Sequence, residues 1–182
     1  MKTIRYFLIL TIAILGFAFT DVNAQDYSNN RPTSAIEQKV FKKILGLPNY
    51  GVFDHISFKV EGSTVTLYGK VLSLGTRKTA ERVVEKIDGV TEVVNNIENL
   101  PPSPYDDRIR YSIVRRFIEA PALYGYLREP NPSVRIIVQG GRVTLEGYVN
   151  NSGTANLMNI LANGVTGVFS VNNNLSTEKN MR

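Results

Sequence analysis

With 182 residues, 43% hydrophobic and 20% charged, the chain has the balance of one ordinary folded domain or two small ones, not of a disordered polymer. A formal charge of +5 is too small for a dedicated nucleic-acid binder. The absence of cysteine excludes disulfides, a thiol nucleophile and a lipoprotein-type attachment cysteine.

Residues 1–24 read as a secretory signal peptide. Lys2 and Arg5 form a positive head, Tyr6 to Phe19 an apolar run too short for a comfortable membrane span, and Val22-Asn23-Ala24 predicts cleavage before Gln25. Residues 25–33 form an N-terminal extension. A helix then begins. Ser34 and Glu37 fit a capping box, and Ile36, Val40, Ile44 and Leu47 make its apolar stripe. Two alternating segments follow. Ile56, Phe58 and Val60 share a face with Val65, Leu67, Gly69 and Val71, and Gly62-Ser63 supplies the tight turn between them. A second helix is predicted from about Thr76 to Ile87, with Ala80, Val83, Val84 and Ile87 facing the sheet. Gly89 is expected to end it as a left-handed cap. Val90, Val93 and Ile97 enter a closing strand, whose paired asparagines are placed to bond edge backbone or cap the strand's exit.

The same order then recurs. Phe58 to Val71 overlies Ile136 to Val149 at a shift of 78, and GVTEVVNNI at Gly89 overlies GVFSVNNNL at Gly167 at the same shift. Gly140-Gly141 makes the second hairpin turn, and Gly147 repeats Gly69. The second copy's first helix carries Ile109, Ile113 and Phe117, with Ser103 as cap, Pro104 in the first turn and Asp106 and Asp107 at the positive end of the helix dipole. Its helix shift is 73, so about five extra residues lie around Tyr124 to Pro132. Its second helix is weaker, with Leu157, Ile160, Leu161 and Val165 but also Asn163-Gly164, where fraying is expected. The fold class is therefore α+β: two tandem α-β-β-α-β domains, each a three-stranded mixed sheet packed on two helices. They span residues 34–100 and 105–176, joined by a stiff proline-rich linker at 101–104 and followed by a tail at 177–182.

Candidate chemistry is sparse. His55 is the single histidine, and metal ligands and catalytic groups come in clusters, so no metal, cofactor or catalytic residue is assigned. Glu81 and Glu85 lie among Arg77, Lys78, Arg82 and Lys86, the pattern of a solvated helix face. Gly62, Gly69, Gly75 and Gly89 fall in different elements and do not form a phosphate loop; Gly62, Gly69, Gly89, Gly140, Gly147 and Gly167 are read as structural. Lys42-Lys43 and Arg115-Arg116 recur at matching places, but residues 33–101 sum to +1 and 105–176 to +2, too little for nucleic acid. Lipid headgroups require less charge. Arg108, Tyr111 and Arg115 lie opposite the Ile109-Ile113-Phe117 stripe, with Arg116 at its edge and Arg110 on the other side. The insert adds Tyr124, Tyr126, Leu127 and Arg128, so aromatic rings and cations gather as at a headgroup boundary.

The order G-x-V-x-L-x-G-x-V, helix, G-V-x-x-V-x-N-x-[IL] resembles the BON domain. Val65 to Val71 and Gly89 to Ile97 carry the match in the first copy, Val143 to Val149 and Gly167 to Leu175 in the second, and the likeness covers about residues 34–176. The resemblance implies a periplasmic, non-enzymatic tandem protein of envelope maintenance or stress, attached to anionic phospholipid surfaces or to other envelope proteins, with no small-molecule substrate. Two readings stay open: lipid binding through the first helix and insert of the second copy, or a protein-binding, chaperone-like adaptor using a sheet face or the edge of a closing strand.

Overall fold

The duplication is visible in the backbone as two copies of one element order. A computed structural model describes residues 35–128 and 131–177. The expected signal peptide, the Ser34 side of the capping box and the tail beyond residue 177 lie outside the described residues. The first copy comprises α1 (Ala35–Leu45), β1 (His55–Glu61), β2 (Thr64–Val71), α2 (Leu74–Glu85) and β3 (Glu92–Asn99). The second comprises α3 (Pro104–Glu119), a 3₁₀ turn (Tyr124–Leu127), β4 (Val134–Gln139), β5 (Arg142–Val149), α4 (Ser152–Asn163) and β6 (Ser170–Thr177). In each sheet the middle strand pairs antiparallel with the first and parallel with the last, the mixed order expected.

Each copy has its own core. In the first, Val40 and Ile44 of α1, Val65 and Leu67 of β2, and Ala80 and Val84 of α2 are buried together. In the second, Ile109, Ile113 and Phe117 of α3 meet Ile136, Val143 and Leu145, with Met158 and Ala162 from α4. This corrects the expected inner face of α4: Leu157 and Ile160 are exposed. At the shift of 78 they overlie Thr79 and Arg82, which point away from the first core. The inward row is Ala155, Met158, Ala162, one helical face at i, i+3 and i+7. Asn163-Gly164 closes this helix, with Gly164 as its C-cap.

The glycine that begins GVTEVVNNI and GVFSVNNNL is not the helix cap expected there. α2 is capped at Lys86, three residues before Gly89. Gly89 and Gly167 hold φ of 97° and 95° in the following turn. A side chain there would meet the first helix of its own copy: an added Cβ at Gly89 lies 3.2 Å from Ile36 Cδ1, and at Gly167 2.7 Å from the Tyr105 hydroxyl. The echoed asparagine also has a shared purpose. Asn95 Nδ2 donates to Arg77 O (3.3 Å) and Asn173 Nδ2 to Ala155 O (2.9 Å), residues again 78 apart. Each side chain also accepts from the amide two residues on, Ile97 N and Leu175 N. The asparagines therefore pin the closing strand to the first turn of the preceding helix and, as expected, also bond backbone of the edge strand itself.

The copies are joined by more than the linker. Ser103 caps α3 and Pro104 is its first residue, leaving Pro101 and Pro102 between the units. The loop between α1 and β1 reaches across to the second copy. Val52 O accepts from Ile136 N (2.7 Å) on the edge of β4, and Gly51 O accepts from Arg135 Nη1 (2.6 Å). The Arg135 guanidinium lies 4.2 Å from the centroid of the Tyr50 ring. Phe53 packs on the second core and meets Tyr111 edge-on at 5.5 Å. The outer face of the second sheet is consequently covered along β4, where Arg135 and Ile137 are both buried.

Candidate functional site

α3 is the longest helix described, with 16 residues, and its start is built from its own sequence. Ser103 Oγ accepts from Asp106 N (3.2 Å), and Pro104 sits where a missing N–H costs nothing. Asp106 turns inward. Its carboxylate accepts from both amides of the neighbouring hairpin turn, Gly140 N and Gly141 N, each at 2.9 Å. Burial alone raises the pKa of this carboxyl, but the two amides, the Ser103 contact and the nearby Arg110 outweigh it and hold it below the ordinary aspartate value. Arg110, read from the sequence as lying off to the other side of the helix, is buried. It pairs with Asp107 (2.6 Å) and donates through Nη2 to Val138 O, closing part of the β4 edge.

The outer face of α3 carries two rows seven residues apart. Arg108 and Arg115 form one, and Tyr111 and Ile118 the other. Tyr111 is 66% exposed and Ile118 47%. Arg115 is open to solvent and reaches Glu119 only at 4.0 Å. Arg108 lies 5.9 Å from the ring centroid of Tyr105. Tyr124, in the 3₁₀ turn beyond the helix, is exposed, as is Arg128. The structure thus brings Arg108, Tyr111, Arg115, Tyr124 and Arg128 to the surface of one copy.

Three of the expected surface residues lie elsewhere. Leu127 is buried in the second core. Tyr126 is half-buried, its hydroxyl accepting from Asn150 N at 3.4 Å. Arg116 leans on α4, its Nη1 3.5 Å from Leu161 O and close against Gly164. Sequence reasoning also missed Ile118 and Phe169. Phe169 is 79% exposed, beside the start of α3, where Tyr105 donates to Gly167 O at 2.8 Å. The repeat itself signals it: the first copy has Thr91 there, hydrogen-bonded to Ser63 at 2.7 Å, whereas the second has Phe169 lying against Gly141.

His55 stands half-buried at the entrance of β1. Burial and the Arg135 charge push its pKa down to about 4. An unfolded chain takes up a proton near pH 6.5 while the folded one does not. The stability linked to His55 is therefore present above about pH 6.5 and is lost as pH falls towards 4, with a ceiling of about 3 kcal/mol. Asp54 opposes this at the acid end, because burial raises its carboxyl pKa and its protonation favours the folded state. His55→Gln is expected to flatten the decline in denaturation midpoint between pH 6.5 and 4. An unchanged pH profile contradicts this assignment. Among the described residues no cluster of three or more acidic or histidine side chains is placed to hold a metal, and no helix is long and apolar enough to cross a membrane.

Residues 32–101 and 106–179 each match the family model described as BON domain. No curated protein sequence matches the chain. Among solved structures, one similar to it is the C-terminal domain of CdsD, a structural protein of the type III secretion system of Chlamydia trachomatis. It is 12% identical, with 76% of this chain and 96% of that chain covered, at a TM-score of 0.26. A second CdsD structure from the same organism is also 12% identical, covering 75% and 90% at a TM-score of 0.26. At that score the likeness carries no argument.

Proposed function

The chain belongs to the BON domain family, and from that membership and the outer surface of α3 we infer that it attaches reversibly to anionic phospholipid surfaces. BON domains are associated with phospholipid-binding envelope proteins, and the family is generally non-enzymatic. In this reading the mature chain works in the periplasm, in envelope maintenance or under stress, without catalysis. The single supporting observation is the pairing on α3 of an open arginine row with an exposed Tyr111–Ile118 row. Cations drawn to an anionic leaflet gain about 1 kcal/mol each, and the adjoining rings and Ile118 suit the headgroup boundary. Phe53 holds one edge of Tyr111, so insertion is shallow.

Liposome co-sedimentation tests this reading. The mature chain is expected to pellet with anionic vesicles and not with neutral ones, and to release as salt rises. Replacing Arg108 and Arg115 together removes about 2 kcal/mol, roughly thirty-fold in partition. Equal pelleting with both vesicle types, or no loss in the double variant, refutes it.

One observation favours an adaptor reading as the alternative. β6 pairs only with β5, so its outer edge has no ladder partner among the described residues, whereas β4 is closed by Val52 and Arg110. Binding of an envelope protein by strand addition at β6 would persist at high salt.

A further inference from the structure

The outer faces of the two sheets border a half-open cleft of about 710 Å³. Its lining comes from both copies. Lys70 stands on the first; Gln139, Arg142, Thr144, Glu146 and Asn172 on the second. The duplication supplies an internal control for what the fold alone requires. At the shift of 78, Arg142, Glu146 and Asn172 replace Thr64, Tyr68 and Val94, at the same register positions of the same sheet. A threonine, a tyrosine and a valine satisfy this architecture, so the charged and amide groups of the second copy are not needed to build it.

Glu146 is the costliest of these replacements. Burial raises its carboxyl pKa, and one hydrogen bond, from Asn174 Nδ2 at 2.8 Å, works against that. Arg142 lies four residues away on the same strand and face, exposed, its guanidinium without an ion pair or hydrogen bond among the described residues. The two positions are about 13 Å apart along the strand. Between and beside them, Thr144 and Asn172 offer a hydroxyl and an amide, while Gln139 Oε1 accepts from Lys70 Nζ at 2.6 Å across the cleft, so Gln139 offers its amide nitrogen.

A ligand satisfying this row needs a donor or cation at one end, an anion at the other, and hydrogen-bonding groups between. An extended chain of about four residues spans the same distance. The cleft is also of the size of small-ligand sites, roughly 300–1,000 Å³. Its floor is a sheet face, so recognition falls to side chains instead of strand addition. No tyrosine, phenylalanine or tryptophan lines it, so it lacks the flat platform on which a sugar ring stacks.

We propose that the inter-repeat cleft binds a short extended peptide of about four residues, its amino end at Glu146 and its carboxylate at Arg142. This site is separate from the membrane surface of α3, and it adds a ligand where the sequence gives reason to expect none.

Amide chemical shifts of the intact two-repeat chain test the proposal, with tetra-alanine as probe. Saturable shifts are expected at Thr144, Glu146, Asn172 and Gln139. N-acetylation or C-amidation of the probe should each weaken binding roughly ten-fold. Glu146→Gln should abolish the penalty for acetylation and retain that for amidation; Arg142→Gln should do the reverse. Both side chains line the cleft and not either core, and unchanged spectra away from the cleft establish that the variants fold. Absence of saturable shifts up to the solubility of the peptide, shifts elsewhere, or variants that respond alike to both end-blocks would overturn the proposal. So would a neutral oligosaccharide that shifts the same amides more strongly than the peptide.

Discussion

Replacing Gly147 by alanine is expected to unfold the second copy. Gly147 sits within β5 at φ of 112°, opposite Val134 on β4. A Cβ there would lie 2.0 Å from Ser133 O and 3.0 Å from its carbon, and both are backbone atoms without freedom to swing away. Backbone strain at this φ alone costs on the order of 1–3 kcal/mol, and the collision adds to it, so the loss should exceed about 4 kcal/mol. Gly69 repeats the geometry in the first copy, with φ of 121° and His55 O 2.1 Å from an added Cβ. Gly125 is the control, since nothing lies within 4 Å of its added Cβ. Chemical denaturation followed by amide spectra should show Gly147→Ala losing the native signals of the second copy, and Gly125→Ala staying within about 0.5 kcal/mol of the parent. A Gly147→Ala chain as stable as the parent contradicts the account of these paired glycines.

The second large effect is expected at Asp106. Its carboxylate joins the first turn of α3 to the β4–β5 hairpin through two backbone amides. Asp106→Ala leaves both N–H groups without that acceptor, and Gly141 is buried, so the loss should be about 2–5 kcal/mol. Asp106→Asn keeps an oxygen acceptor but loses the charge, and should fall between alanine and the parent. The pH dependence follows from the depressed carboxyl pKa. Its contribution is present above the unfolded value near 3.8 and is lost as pH falls below it. Equilibrium denaturation at pH 7 and pH 3 checks this. The gap between parent and Asp106→Ala should narrow at the lower pH, and an equal gap at both contradicts the assignment.

Most of the fold was legible because the repeat made each periodic pattern appear twice. Val65, Leu67 and Val71 with Val143, Leu145 and Val149 give the sheet, while Ile109, Ile113 and Phe117 give the helix face that covers it. Apolar count is a poorer guide than register on α4. Leu157 and Ile160 are larger than Ala155 and Ala162, yet the helical position, read across from the first copy, decides which face is buried. The glycines of the echo were legible as special positions but not as points of close approach, because Ile36 and Tyr105 reach them from helices distant in the sequence.

The site was less legible. Arg108, Tyr111, Arg115 and Tyr124 are recoverable from helical spacing and the aromatic insert. Leu127 and Arg116 are not, because only tertiary packing distinguishes a leucine that closes a core from one on its surface, or an arginine leaning on a neighbouring helix from one facing outward. The contact between the copies left one trace. Tyr50-Gly51-Val52-Phe53 is a loop rich in apolar residues, where a solvated loop carries polar ones, and that excess is what packs against β4 and the second core.

Lipid attachment as proposed requires that α3 be the surface that meets the bilayer. Paramagnetic broadening of amide signals by spin-labelled lipid in anionic bicelles measures this directly. The strongest broadening is expected at Arg108, Tyr111, Arg115, Ile118 and Tyr124, with the inter-repeat cleft and β6 unaffected. Broadening centred on α1, where Lys39, Lys42, Lys43 and Phe41 are also exposed, or on the outer edge of β6, would contradict it.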